Sequence, residues 1–353
     1  MNLILYSLAL LASFYLLAVI CDRYFVFSLD KIALKLNMNS DMAGATLMAV
    51  GSSAPELFVS FIALYKPGNE AMGAGTIVGS ALFNILVIIG ASAIVRKAFI
   101  AWQPVIRDII FYSLSILLLI YAFWDGKITL LESIAFLALY VVYVIAVLNW
   151  RKILPYKDDE KDVVEELKEG EVKEIEKKSI FGKFLNGIHL LLDFIFPKPE
   201  KYWLVFFMSI AFIAGLSWVL VESAVGISVI LHIPAVIIGL TVLAAGTSIP
   251  DLMSSLIVAR QGRGGMAISN AIGSNIFDIL IGLGLPWLIV TIGGKIIPVA
   301  TENLNSSIIL LFATVIAVLG FLAAKKWHIN KFAGIGLISI YIAYLFWNIF
   351  QVL

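Results

Sequence analysis

Apolar residues run through this chain in long blocks, each interrupted by a short polar or glycine-bearing stretch. Blocks of twenty or so apolar residues are long enough to cross a bilayer as helices. The pattern predicts spans at about 3–26, 41–64, 70–94, 104–123, 129–149, 202–231, 235–259, 266–291, 306–323 and 332–351. One long polar interruption, about 151–200, separates five spans from five. Within it, Phe181–Phe196 is apolar around Lys183 and Asp193 but, at about 16 residues, short for a span. It reads as an interfacial helix on the cytoplasmic face, ended by Pro197 and Pro199.

The pattern also repeats. Gly44–Leu57 returns as Gly239–Leu252, and Gly79–Leu86 returns as Gly273–Leu280. The first pair of segments places a carboxylate directly after a proline, Pro55–Glu56 in one copy and Pro250–Asp251 in the other. The copies fall in spans two and three and again in spans seven and eight. Five is odd, so the second half enters the membrane from the opposite side, a frequent plan for secondary transporters. The expected fold is an all-α multi-pass membrane protein of about ten transmembrane helices. They form two inverted-topology five-helix repeats, with broken helices 2, 3, 7 and 8 building an ion site. Residues 1–150 make the first repeat, 151–200 a charged cytoplasmic loop with its interfacial helix, and 201–353 the second repeat.

Charge orients the spans. With the N-terminus outside, 25 lysines and arginines are divided so that only Lys66, Lys127 and Lys295 fall on the outer side. That bias satisfies the positive-inside rule and makes the central loop cytoplasmic. Half of the 24 acidic residues lie between Asp158 and Glu200. The stretch from Lys157 to Lys178 mixes Glu and Lys, and reads as a solvated helix or disordered linker rather than a regulatory cation site. Composition agrees with the membrane reading: 61% of residues are hydrophobic and 14% charged, against roughly 45–50% and about 25% in soluble domains. The single Cys21 excludes an internal disulfide and reads as a packing residue. No cleavable leader is evident, so the first span is expected to remain as an anchor.

The chemistry lies in the repeats. A carboxylate in hydrocarbon is costly, and one that recurs by duplication is a functional candidate. Proline lacks the N–H that would bond the carbonyl four residues back, so Pro55 frees the carbonyl of Gly51 and Pro250 that of Gly246. Flanking small residues (Gly51, Ser52, Ser53; Gly246, Thr247, Ser248) let the helix unwind further. Such backbone is tolerated at membrane depth only where it is buried in protein or lines a polar cavity. The resulting donors are all hard oxygens, which suit Ca2+ and alkali cations and poorly suit zinc or copper. Glu56 and Asp251 together balance one Ca2+. When that ion leaves, two like charges face each other, so Na+ or protons should replace it. A lone proline kink is often mere packing, but duplicated copies with an acid at the same offset weigh against that. Gly75–Gly79 has helix-packing spacing. Gly73–Gly75 follows no strand, and Gly262–Gly265 is a turn without the Gly-Lys-Ser/Thr of a phosphate loop.

Gly51–Phe58 and Gly246–Asp251 resemble the two α-repeats of the cation/Ca2+ antiporter superfamily, the sodium/calcium exchangers. Gly75–Leu86, Ser255–Gly262 and Ser269–Trp287 are closer to the potassium-dependent sodium/calcium exchanger branch, and Cys21–Asp22 is also similar. The resemblance implies antiport of Na+ against Ca2+ by alternating access. It makes Glu56 and Asp251 the central Ca2+ ligands, with carbonyls near Ser52 and Thr247. Ser53 and Ser248, with backbone at Ala49 and Ala244, become Na+ ligands, while Ser80, Asn84, Ser274 and Asp278 complete the site. Asn84 and Asp278 occupy equivalent positions yet differ in charge. In the potassium-dependent branch the matching acid is associated with K+, but some exchangers without K+ dependence also have it, so Asp278 alone does not decide the matter. Spans one and six are expected to slide against the core; Glu222 and Asp22 lie where they could touch that gate, but read rather as helix-end pairs or as lining an aqueous vestibule. Asp108, Asp125 and Glu132 are expected at solvated span ends. The chain is read as a plasma-membrane protein functional as a monomer, not an enzyme. Its partners are lipid and the transported ions, with no resident cofactor and no nucleic acid. The alternatives are a Ca2+/H+ antiporter of the same fold, a passive cation channel, and an intramembrane aspartyl protease using Asp251 and Asp278. The protease reading lacks its Gly-x-Gly-Asp motif, since Leu285 follows Gly284.

Overall fold

A computed structural model describes residues 2–155, 180–298 and 305–350, except positions 37, 39, 67, 96, 97, 100, 261, 325 and 326. The charged stretch Lys157–Lys178 lies outside the described residues, as does the side chain of Asp22. Helices occupy every expected span. Span one is Leu3–Leu29, three Ala71–Val95, four Trp102–Ala122, five Leu130–Ile153, six Tyr202–Leu231, seven Ala235–Arg260 and eight Gly264–Ile292. Span two consists of Asp41–Ser52 and Ala54–Leu64, bent by 42° at the junction. Spans nine and ten are Asn305–Ala324 and Lys331–Phe350. Large apolar side chains such as Leu8, Ile110, Ile145, Phe207 and Ile309 are exposed, while serines, asparagines and carboxylates lie inside. A surface of this kind suits a hydrocarbon solvent, where backbone polar groups are satisfied within each helix.

The breaks follow the sequence. Ser53 leaves helical geometry (φ −91°, ψ 6°) just before Pro55, and Ser248 does the same (φ −81°, ψ 3°) before Pro250. Proline sits in the first turn of the continuing helix, where no intrahelical N–H is required. Upstream, both spans widen into a π-turn, Gly44–Met48 in one and Gly239–Leu243 in the other. Spans three and eight stay helical and take a milder form of break, π-turns at Asn84–Ile88 and Asp278–Leu283. Such widened turns occur mostly as single units and often at functional sites.

Packing recurs with the halves exchanged. Span eight crosses the first half of span two, and span three crosses the matching part of span seven. Spans four and five flank span eight, just as nine and ten flank span three, and spans one and six lie along each other. Two short antiparallel pairs obey the same exchange: Ala98–Phe99 with His328–Ile329, and Lys127–Ile128 with Ile297–Pro298. The crossings are tight because glycine makes them so. A Cβ on Gly79 would lie 2.3 Å from the Leu240 carbonyl oxygen, and one on Gly273 would lie 2.7 Å from that of Ala45.

Several expectations are revised or sharpened. The apolar stretch in the interruption forms a connector helix, Ile180–Ile195, shorter than any span, and Pro197 follows it. Leu192 and Phe196 are buried against spans one and six, and Tyr24 donates to Asp193 at 2.5 Å. Asp125 and Glu132 do sit at exposed helix ends, Glu132 in a capping box with Thr129. Asp108 does not. It is fully buried and paired with Arg107, which is likewise buried within span four. Hydropathy alone could not separate a charge at a span's end from one sealed a turn inside it. Glu222 is ion-paired with Lys66, which also lies over the Trp218 ring. Cys21 is buried in the first span, as expected.

Candidate functional site

The two breaks and the two milder turns bring their polar residues to one place. Glu56, Asp251, Asp278, Asn84, Ser52, Ser53, Ser80, Thr247, Ser248 and Ser274 are all fully buried, so the centre is closed to solvent on both sides. Ser274 of span eight donates to Asp251 Oδ1 at 2.7 Å, and Ser80 of span three approaches Glu56 Oε1 at 3.5 Å. These two contacts correspond under exchange of the halves. Another exchange runs between the broken spans, where the Thr247 side chain approaches Glu56 and the Ser52 side chain approaches Asp251.

The symmetry fails around the third acid. Ser80 Oγ lies 2.7 Å from Ser248 Oγ and 3.3 Å from Asp278 Oδ2, and Ser248 donates to Glu56 Oε1 at 3.1 Å. One hydroxyl carries one hydrogen, so Ser80 has a single donation to divide among three acceptors. Ser53 faces Asp278. On the other side Asn84 donates through Nδ2 to Asn275 Oδ1 at 2.9 Å, and Asn275 Nδ2 donates to the Ala81 carbonyl at 3.0 Å. Asn275 was not singled out from the sequence. The signal was present, since Ala81 stands at its place in the first copy, a second departure from the repeat beside Asn84 and Asp278.

Two backbone oxygens belong to the helical turn that precedes each break. The Ala49 carbonyl accepts from the Ser53 N–H at 3.0 Å, and that of Ala244 from the Ser248 N–H at 3.3 Å. A carbonyl has two lone pairs, so each keeps one for another partner. Ser52 and Thr247 turn their hydroxyls back on the helix, donating to the Met48 and Leu243 carbonyls at 2.8 and 3.0 Å. Their side-chain oxygens keep acceptor capacity toward the centre.

Most telling are the oxygens that remain unpaired. Glu56 Oε2, Asp251 Oδ2, Asp278 Oδ1, Asn84 Oδ1 and Ser53 Oγ are buried without a hydrogen-bond partner. Buried acceptors are nearly always satisfied, and leaving a charged one bare costs several kcal/mol. Four of the five cannot donate when the acids are ionised. Oxygens of this kind can accept from a donor or coordinate a hard cation. Among the described residues the acids do not close into a compact three-carboxylate cage. Hydroxyls, amides and carbonyls must complete any coordination shell, as they do for hard cations in flexible sites.

The comparisons with known proteins agree with this arrangement. Residues 6–149 and 201–350 match the family described as sodium/calcium exchanger protein, and the gap between them coincides with the polar interruption. Sodium/potassium/calcium exchanger 2 of Gallus gallus is 31% identical over 498 residues, covering 97% of this chain and 76% of that protein. Sodium/potassium/calcium exchanger 4 of Mus musculus is 30% identical over 508 residues, covering 98% and 81%. Among solved structures, the sodium-calcium exchanger NCX_Mj soaked with 2.5 mM Na+ and 1 mM Sr2+ superposes with a TM-score of 0.62 at 25% identity, covering 97% of this chain and 98% of that one. A family match over both five-span halves, a shared fold and a buried oxygen-lined centre at the duplicated motifs leave one classification: the chain belongs to the sodium/calcium exchanger family of multi-pass membrane transporters.

Proposed function

We propose that this protein exchanges Na+ for Ca2+ across the plasma membrane by alternating access, with K+ carried beside Ca2+. The observation that carries this reading is the set of buried, unpartnered oxygens on Glu56, Asp251, Asp278, Asn84 and Ser53. Glu56 and Asp251 form the central Ca2+ site, supported by the oxygens of Ser52, Thr247, Ser80 and Ser274. Ser53 and Ser248, with the carbonyls of Ala49 and Ala244, hold Na+ on either side. Asp278 supplies a third negative charge, which matches Ca2+ and K+ together, and Asn84 completes that side with a neutral oxygen.

Charge balance gives the coupling. Glu56, Asp251 and Asp278 lie close enough to repel one another. Like charges in low dielectric strongly oppose joint ionisation. Emptying the site is therefore unfavourable, and replacing Ca2+ by Na+ avoids the bare state. Spans one and six pack along each other, outside the crossed spans that hold the acids. Their joint displacement opens one side of the centre and then the other. Lys66–Glu222 ties span six to the outer end of span two, and Tyr24–Asp193 ties span one to the connector helix.

The two five-span halves, 1–150 and 201–353, are read as inverted repeats with the N-terminus outside and the 151–200 loop cytoplasmic. Each chain carries a whole site, so it acts as a monomer, and no resident cofactor is required. The test is Ca2+ uptake by purified protein in vesicles loaded with Na+, measured with and without K+. Uptake driven by internal Na+ and accelerated by K+ supports the reading. Equal uptake in Na+-free vesicles under a pH gradient would assign proton exchange, and uptake without any gradient a channel.

A further inference from the structure

A second buried charge cluster lies away from the ion centre, at the start of span four. Arg107 donates through Nε to Asp108 Oδ1 at 2.7 Å and through Nη1 to Asp41 Oδ2 at 3.4 Å, and both Arg107 and Asp108 are fully buried. Tyr143 of span five, also fully buried, places its hydroxyl 3.2 Å from Asp108 Oδ1 and 3.4 Å from the carbonyl oxygen of Ala45. Phe111 packs on the Tyr143 ring with centroids 5.3 Å apart, which fixes where the hydroxyl points. Burying an arginine between carboxylates seldom adds stability over apolar packing of the same volume. Its presence calls for another reason.

Ala45 supplies one. It lies in the π-turn Gly44–Met48, where span two widens before its break. It is also the point at which span eight crosses, since a Cβ on Gly273 would meet the Ala45 carbonyl oxygen at 2.7 Å. The residue after Gly273 is Ser274, whose hydroxyl donates to Asp251. Ala49, whose carbonyl accepts from the Ser53 N–H at the break, lies one helical turn beyond Ala45. The single hydroxyl hydrogen of Tyr143 is thus shared between Asp108 and a backbone oxygen at which the two site-bearing spans touch.

The opposite crossing is built differently. There span three meets Leu240, the counterpart of Ala45 in the π-turn of span seven. Between spans nine and ten, which correspond to four and five, Tyr344 pairs with neutral Ser307 at 3.2 Å. Both line a cavity of about 410 Å3 together with Ser306, Trp347 and Asn348. Buried charge stands beside one crossing, and the tyrosine at the corresponding place in span ten meets a neutral hydroxyl.

We propose that Tyr143, Asp108 and Arg107 are positioning residues for cation binding. They fix the span two–span eight crossing and thereby hold the Ser274–Asp251 pair and the Ala49 carbonyl at coordination distance. The inference rests on Glu56 and Asp251 being the cation site, and does not depend on which ion drives exchange.

The test is Ca2+ binding to purified full-length protein, read as ion-induced thermal stabilisation, with uptake kinetics in vesicles beside it. Tyr143→Phe removes a hydroxyl alone. Loss of a supporting partner around a metal site typically weakens affinity by roughly tenfold to a hundredfold. The expected result is a Kd for Ca2+ raised about tenfold, with the ion-free protein still melting in one cooperative transition at a modestly lower temperature. The transport KM should rise by the same factor while kcat stays unchanged, the signature of lost ground-state binding. The triple variant Asp41→Asn/Arg107→Met/Asp108→Leu removes all three charges together, and should weaken Ca2+ binding equally while still folding. Wild-type Ca2+ affinity in Tyr143→Phe, or a lowered kcat at unchanged KM, would overturn the proposal. Absence of Na+-driven uptake by the wild type would instead overturn the exchange reading and leave the binding comparison in force.

Discussion

At the scale of single residues, the duplicated motif made Glu56 and Asp251 legible before any coordinates, because two acids behind prolines in hydrocarbon have no cheap structural role. The structure brings them into one closed centre with Ser80, Ser248, Ser274 and Asp278. Glu56→Gln is expected to abolish Ca2+ uptake while the protein still purifies as a folded species, which a melting curve checks. Ser274→Ala removes a hydrogen bond to a charged oxygen, an interaction worth about 1.5–3 kcal/mol. It should raise the KM for Ca2+ by roughly tenfold or more, measured as initial uptake rate against Ca2+ concentration. If K+ travels with Ca2+, Asp278→Asn should remove the acceleration by K+ and leave Na+-driven uptake. Other residues were less legible. Nothing local marks Arg107 and Asp108 as buried, since their neighbours Gln103 and Trp102 read as an ordinary interfacial helix start. Only the partner Tyr143, distant in sequence, reveals it.

At the scale of elements, hydropathy located the helices, and proline located the breaks at Ser53 and Ser248. The π-turns were not legible, because a widened turn depends on what crosses it rather than on its own residues. Glycine is what permits those crossings. Gly79→Ala would place a methyl carbon 2.3 Å from the Leu240 carbonyl oxygen, so backbone must move. Overpacking of this kind typically costs about 1–3 kcal/mol. The variant should melt at lower temperature than wild type, whereas Gly320→Ala, which faces open space, should melt unchanged or slightly higher. Equal melting temperatures for the two variants would show that the crossing is not close-packed. The connector helix was readable as too short for a span from its length and the prolines that follow it. Its anchorage to span one through Tyr24–Asp193 was not, because that pair spans 169 residues.

At the scale of the whole molecule, the inverted relation of the halves was expected from the odd number of spans on each side of the polar interruption, and exchange of the halves reappears where span eight crosses span two and span three crosses span seven. A centre closed on all sides, with several bare acceptors, also makes a thermodynamic prediction. A ligand that binds only the folded protein stabilises it by about 2.7 kcal/mol at a hundredfold excess over Kd. Ca2+ should therefore raise the melting temperature of the wild type, and Glu56→Gln/Asp251→Asn should lose that response. The central claim is that one site carries Ca2+ and Na+ in turn. It is tested most directly by following Ca2+ entry and Na+ release together in the same vesicles. The account predicts that Ca2+ enters only as Na+ leaves and that Glu56→Gln stops both. Ca2+ entry at the full rate with no Na+ released, or both fluxes persisting in Glu56→Gln, would contradict it.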